Sequence, residues 1–252
     1  MRILSIDSSL GTQLAVVDAA TSAAGARALQ VLSQDEQADT RRHAESLGQM
    51  LSRALSASEA AERPLDAVVA ATGPAPFTGL RAGLVTAGVV GRTRGVPVHG
   101  VSSLDAVARR ALDELGSHEG QTGPVVLVAT DARRREVYTA LFRANGPDDV
   151  TRLTEIIVCP PAQVAQRLAE QAPGPGGGSG GIDVVAGSGA SLYPELAEMA
   201  SYQKALAPVS GDALAQVRIA LARLERGEEL STQPLYLRHA DVQMPAARKR
   251  VR

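Results

Sequence analysis

The sequence predicts an α/β protein built from two duplicated lobes, and three observations carry that reading. An order of three strands, a helix, a strand and a helix can be read twice along the chain. A polar stretch over residues 116–123 separates the two runs. The chain has 252 residues, 44% of them apolar and 21% charged, which is ordinary for a globular protein and enough to bury a sizeable core.

The elements follow in order. Residues 2–7 and 12–18 alternate or run apolar as strands, joined by the polar turn Ser8-Ser9-Leu10-Gly11, and residues 26–33 give a third strand. Asp39-Thr40 can cap a helix over residues 42–57, in which Leu47, Leu51, Ala54 and Leu55 make one apolar stripe. Residues 66–71 form a short apolar strand. The stretch from Ala71 to Gly83 then crosses from strand to helix, because Gly73, Pro74 and Pro76 let neither element continue. Thr78 is placed to cap the following helix, whose first turn has free amides suited to an anion or a close backbone approach. In that helix Gly83, Ala87 and Gly91 recur every four residues as a smooth strip, which serves either close packing on the chain's own sheet or a subunit contact.

Residues 96–101 form a strand, and Ser102-Ser103 cap a helix over 104–115. The second run has strands over 125–130, 136–143 and 150–158, a helix opened by Pro160-Pro161 and ending at Gln171, and a strand over 182–186. Residues 173–181 contain only Pro, Gly and Ser and form a flexible insertion. Asp212 begins a last helix through Arg226, and residues 239–252 are a basic tail. The expected division is residues 1–103, residues 104–211, and a C-terminal helix and tail over 212–238 packing on the first lobe.

Composition narrows the function. A net charge of −1 gives no global attraction to nucleic acid, so any RNA contact is local or made by a partner. With no Trp, two Phe and four Tyr there are few rings for base stacking. Cys159 is the only cysteine, which excludes a disulfide framework and suits a buried small residue at a strand end. The histidines at 43, 99, 118 and 239 lack metal-ligand spacing, and no catalytic or metal residues are assigned. No apolar run reaches the roughly 20 residues needed to cross a bilayer, and Met1-Arg2 leads straight into a strand, so no membrane partner and a cytoplasmic location are expected.

Two turns hold the candidate ligand residues. Asp7 and Ser8 precede Gly11-Thr12, a good polar turn that also suits phosphate. Asp131-Ala-Arg-Arg-Arg-Glu-Val-Tyr138 places Arg133 and Arg134 where they can hold phosphate or a carboxylate, or form a solvated turn. Gly187 and Gly189 follow a strand and are weak nucleotide candidates by themselves.

The string Gly73-Pro74-x-x-Phe77-Thr78-Gly79-Leu80-Arg81-x-Gly83 resembles the signature of the bacterial TsaB, or YeaZ, family, whose usual form has Gly-Ser in place of Ala75-Pro76. Residues 131–138 resemble a second signature of that family. Arg42-His43-Ala44-Glu45, Gly187-x-Gly189-Ala190 with Tyr193, and Pro234-Leu-Tyr-Leu-Arg238 are similar to further family motifs in the right order.

That resemblance implies an actin-like (ASKHA, ribonuclease H-like) fold, with Asp7 and Asp131 at the two hairpins that face phosphate in actin-like ATPases. It implies a non-catalytic dimerisation subunit of the assembly that transfers a threonylcarbamoyl group to N6 of the adenosine beside the tRNA anticodon. The implied partners are the catalytic TsaD-type subunit, a TsaE-type ATPase subunit, tRNA through the complex, and a second copy of the chain when alone. No cofactor is required by this subunit, with ATP or ADP placed at the interface of the complex. Leu47, Leu51, Gly83, Ala87 and Gly91 are the implied pairing surface. TsaD has two histidines four apart that hold a metal; Ser103 and Val107 stand at the matching positions, so a metal site is not expected. The rival reading is a free-standing phosphotransferase, ATPase or metalloprotease-like enzyme.

Overall fold

The computed structural model describes residues 1–21, 27–39, 43–116, 123–171, 181–201 and 212–237. The basic tail, Arg42, Arg238 and the 173–181 insertion except Gly181 lie outside them. The first sheet is made by β1 (Arg2–Asp7), β2 (Thr12–Thr21), β3 (Arg27–Gln37), β4 (Ala67–Ala71) and β5 (Val98–Val101), in the order β3-β2-β1-β4-β5. The β1–β2 and β2–β3 pairs are antiparallel hairpins, whereas β4 lies parallel to both β1 and β5. Parallel neighbours need crossovers. These run through α1 (His43–Ser56), the short α2 (Ser58–Ala61) and α3 (Phe77–Arg94).

The period of two along each strand decides which helix covers which face. Leu4, Ile6, Leu14, Val16, Val68 and Ala70 point to one side, where Leu47, Met50 and Ala54 of α1 and Ala87 and Val90 of α3 close over them. Ile3, Ala15, Val17, Ala67 and Val69 point to the other side and meet Val217, Ala220 and Leu221 of α8 (Ala213–Glu225). A sheet covered on both faces explains why β4 reads Ala-Val-Val-Ala-Ala without alternation and is buried throughout.

The second sheet has β6 (Val126–Asp131), β7 (Val137–Asn145), β8 (Asp149–Arg152), β9 (Ile157–Cys159) and β10 (Val184–Ala186), in the order β10-β6-β7-β8, with β9 also on β7. One face is covered by α4 (Ser103–Leu115) through Leu104, Val107, Ala108 and Ala111. The other is covered by α5 (Val164–Gln171) through Val164 and Leu168, and by the short α6 (Ser188–Leu192) and α7 (Pro194–Ala197) through Ala190 and Leu196. Helices α4 and α8 pack on one another between the two sheets.

Four local readings are corrected. The strand expected over 150–158 is two strands. Between the pairs Phe142↔Arg152 and Thr139↔Ile157 it holds two residues more than β7, and the Leu141 amide finds Thr154 Oγ1 at 3.0 Å instead of a ladder carbonyl. Strand β3 continues past Ser33 to Gln37, since an edge strand pairs its backbone while leaving Gln34 and Glu36 exposed. Helix α3 starts at Phe77 behind Pro76 and has no side-chain cap, so Thr78 lies inside its first turn. Ser102 holds the N-cap position of α4, yet its hydroxyl and that of Ser103 make no hydrogen bond among the described residues. Asp212 caps α8 as its sequence suggests, accepting from the Leu214 and Ala215 amides.

Candidate functional site

At the first hairpin the Asp7 carboxylate is 1% exposed and fully engaged within the chain. Its Oδ1 accepts from the amide and hydroxyl of Ser9, at 2.8 and 2.6 Å, and its Oδ2 from Nε2 of the buried Gln216, at 2.6 Å. Burial pushes the Asp7 carboxyl up from the ordinary carboxylate value, against the opposing pull of the Ser9 bonds. Ser8 is equally committed. Its hydroxyl donates to the Gly79 carbonyl at 2.8 Å, and a Cβ on Gly83 would fall 2.1 Å from Ser8 Oγ. The hairpin is thus bolted to α8 on one side and to α3 on the other.

The second hairpin carries the arginines. Asp131 accepts from the Arg133 amide at 2.8 Å and faces the Arg133 guanidinium at 3.1 Å, while its own amide donates to Ser188 Oγ. Arg133, Arg134 and Arg135 all have left-handed φ, at 64°, 55° and 60°. Such a run costs roughly 1–2 kcal/mol per residue, and it leaves all three side chains exposed. Gly187 and Gly189 answer to packing. A Cβ on them would lie 2.4 and 2.8 Å from the Ala129 carbonyl oxygen, so α6 can approach β6 only with glycine at both places.

Between the hairpins remains a cavity of about 10 Å³, walled by Leu10, Pro74 and Pro76 and reached by Ser103, Val107 and Thr130. The hydroxyls of Ser103 and Thr130 have no partner among the described residues, and the space is of the order of one water molecule. Ser9, Leu10 and Pro76 also line a neighbouring hollow of about 180 Å³, beside Phe77, Gly79 and Arg133. A drug-sized ligand normally takes roughly 300 Å³ or more. Among the described residues no group of three His, Cys, Asp or Glu side chains is gathered as a metal site, and no helix is long and apolar enough to cross a membrane.

The strip proposed for subunit pairing faces inward, which corrects that expectation. Ala87 is fully buried in the first lobe's own core, and a Cβ on Gly91 would lie 2.3 Å from Val98 Cγ2. Leu47 is buried in the same core, and the half-buried Leu51 packs against it. What α3 shows to solvent is Val85 and Val89, 64% and 56% exposed. Gly88 on α3 and Gly48 on α1 are exposed, and a Cβ on either would touch nothing.

Sequence reasoning missed one cluster. Phe77 and Tyr236 stand exposed with ring centroids 5.3 Å apart, and the Arg81 guanidinium lies 3.5 Å above the Phe77 ring. Phe77 and Arg81 both lie in the Gly73–Gly83 motif, but Tyr236 is 155 residues beyond Arg81, so no local signal connects them.

A family model described as TsaD, tRNA N6-adenosine threonylcarbamoyltransferase, matches residues 30–175, more than half of the chain. A Mycobacterium tuberculosis protein is 45% identical over 123 residues, 47% of this chain and 53% of that protein, so the match spans about half the length of this curated relative. The Bacillus subtilis tRNA threonylcarbamoyladenosine biosynthesis protein TsaB is 35% identical over 88 residues, 34% of each chain. Among solved structures, a Pseudomonas aeruginosa protein described as similar to peptidase YeaZ superposes with a TM-score of 0.70 at 25% identity, over 94% of this chain and 99% of that one. Pseudomonas aeruginosa YeaZ itself gives 0.66 at 24% identity over the same shares. The two-lobed α/β architecture is therefore the actin-like fold of YeaZ, and the chain belongs to the threonylcarbamoyltransferase family and, within it, to the TsaB/YeaZ group.

Proposed function

We propose that this chain is a non-catalytic pairing subunit in the formation of threonylcarbamoyladenosine in tRNA, acting by docking on a TsaD-type catalytic subunit. The observation that carries this reading is the closed interlobe cleft. Where an actin-like enzyme needs room for a nucleotide and a metal, this chain has a water-sized cavity reached by Ser103 and Val107, side chains that offer no nitrogen ligand. Asp7, the carboxylate best placed for chemistry, is consumed by Ser9 and Gln216. The subunit then needs no cofactor of its own, and a TsaE-type ATPase and tRNA join through the assembly.

The outer face of α1 and α3 supports the docking half of the proposal. A glycine in the middle of an exposed helix costs about 1 kcal/mol relative to alanine. Gly48 and Gly88 return nothing for that cost within the chain, since neither relieves a contact. Gly88, on the same helix as the exposed Val85 and Val89, leaves a low surface on which a partner helix can come close.

The test is co-purification of the full chain with the TsaD-type subunit of the same organism, followed by mass measurement and an assay of tRNA modification. The expected result is a stable hetero-complex that Gly88→Arg prevents while the variant melts no lower than wild type does. Modification or ATP turnover by this chain alone, abolished by Asp7→Ala, would overturn the non-catalytic reading.

A further inference from the structure

We propose that Arg81 is a prebuilt anchor for a carboxylate carried by the protein partner that docks on α3; this deepens the pairing reading above and rests on it. An exposed arginine is ordinarily a mobile side chain with up to about 2 kcal/mol of rotamer entropy to lose on binding. Arg81 has already given much of that up. Its guanidinium carbon lies 3.5 Å from the Phe77 ring centroid and 5.5 Å from that of Tyr236, and its Nε donates to Tyr236 Oη at 2.8 Å. Tyr236 is held in turn by the C-terminal segment, whose Leu235 amide donates to the Thr72 carbonyl at 2.8 Å and whose Leu230 carbonyl accepts from Gly100.

This scaffolding uses Nε and the flat face and leaves the two Nη groups without an acceptor among the described residues. Other arginines held as firmly meet acids: Arg2 meets Asp18, and Arg223 meets Asp105 and Asp149. Arg81 meets none among the described residues, and the first turn of α3 contains no acidic residue. Two parallel N–H donors on a fixed plane match the two oxygens of a carboxylate, a bidentate pair with about twice the strength of a neutral hydrogen bond.

Position identifies the occupant as protein. Phe77, Arg81, Val85 and Val89 follow one another at intervals of four along the exposed side of α3, and Phe77, Val85 and Val89 are each at least half exposed. Aromatic and arginine side chains beside an apolar strip have the composition of an interface hot spot. A phosphate backbone would gain nothing from Val85, Gly88 and Val89.

The experiment is calorimetric titration of the full chain with the same TsaD-type subunit at low and high salt, with Arg81→Ala, Arg81→Lys and Tyr236→Phe beside wild type and a melt of each variant. Arg81→Ala is expected to weaken pairing by about 30-fold and to flatten its salt dependence. Arg81→Lys, which keeps the charge and loses the fork, should recover only a minor part of that loss, and Tyr236→Phe should weaken pairing by a few-fold at unchanged melting temperature. Wild-type affinity in Arg81→Ala would overturn the anchor while leaving the pairing reading intact, and full affinity in Arg81→Lys would overturn the fork. A labelled RNA hairpin that binds the chain alone and is lost in Arg81→Ala would assign the anion to phosphate and overturn the proposal. Absence of any pairing by wild type would remove both readings together.

Discussion

Gln216 and Asp7 share a hydrogen bond of 2.6 Å across 209 residues, and through it the last helix is fastened to the first hairpin. Gln216 Oε1 in turn accepts from Ser5 at 3.2 Å, so a fully buried amide spends both ends on β1. The carboxylate that an actin-like enzyme would turn toward a metal is thereby made part of the core.

Stability should report the state of Asp7. Burial raises its folded value above the unfolded one. Its contribution to stability is therefore full below the unfolded carboxylate value and is lost as pH rises through the raised folded value. Asp7→Asn should remove that loss, so the ratio of unfolding free energies at mildly acid and neutral pH moves toward one. Urea melts across pH check this; an unchanged pH profile in the variant would contradict it.

Helix α8 joins the second lobe by charge. Asp149, 1% exposed, pairs with Arg223 at 2.9 Å and with Arg226, and Asp105, 2% exposed, pairs with Arg152 and Arg223 at 2.8 and 2.9 Å. Asp149→Ala should cost about 1.5–3 kcal/mol, because it leaves the mostly buried Arg223 with one acid instead of two. Asp149→Ala combined with Arg223→Met should recover part of the loss, as a double-mutant cycle would measure.

The two faces of α3 should respond oppositely to the same change. Gly91→Ala drives a methyl group to within 2.3 Å of Val98 and is expected to destabilise by about 1–3 kcal/mol. Gly88→Ala meets open space and should stabilise the isolated chain by about 1 kcal/mol. Ala87→Arg, which would bury a charge in the core, should prevent folding. Thermal melts of the three proteins decide this.

Acid resistance depends in part on the N-terminal strand. Asp18, gripped by Arg2 at 2.8 Å and by Arg63 at 2.7 Å, is held down to about 2 by the Arg2 hydrogen bonds first and the Arg63 contact after them. A depressed carboxylate stabilises the fold above its unfolded value and loses that effect as pH falls through the folded one. Asp18→Asn should cost about 1–2 kcal/mol at neutral pH. The difference from wild type should vanish as pH drops from about 4 to 2.

Much of the architecture was legible because its signals are local. The apolar runs at Arg2–Asp7 and Ala67–Ala71, the break at Gly73-Pro74, the Asp212 cap and the repeat of element order each act within a few residues, where backbone sterics and periodicity dominate. The sequence determined by itself the order of the main elements, the strand-to-helix crossings and, through its motifs, the family, but not the split of β8 from β9 or the short helices α2, α6 and α7. It also contained the small residues at 83, 87 and 91 without saying what they lie against.

That question only the tertiary structure decided, since a helix shows small residues the same way whether the approaching backbone is its own sheet or another subunit. Ser8 beneath Gly83 and Val98 beneath Gly91 settle it in favour of the chain's own sheet. The partners of Asp7 and Arg81 were hidden for the same reason. Gln216 and Tyr236 are 209 and 155 residues away, and only the packing of α8 and the C-terminal segment on the first lobe brings them within hydrogen-bonding distance.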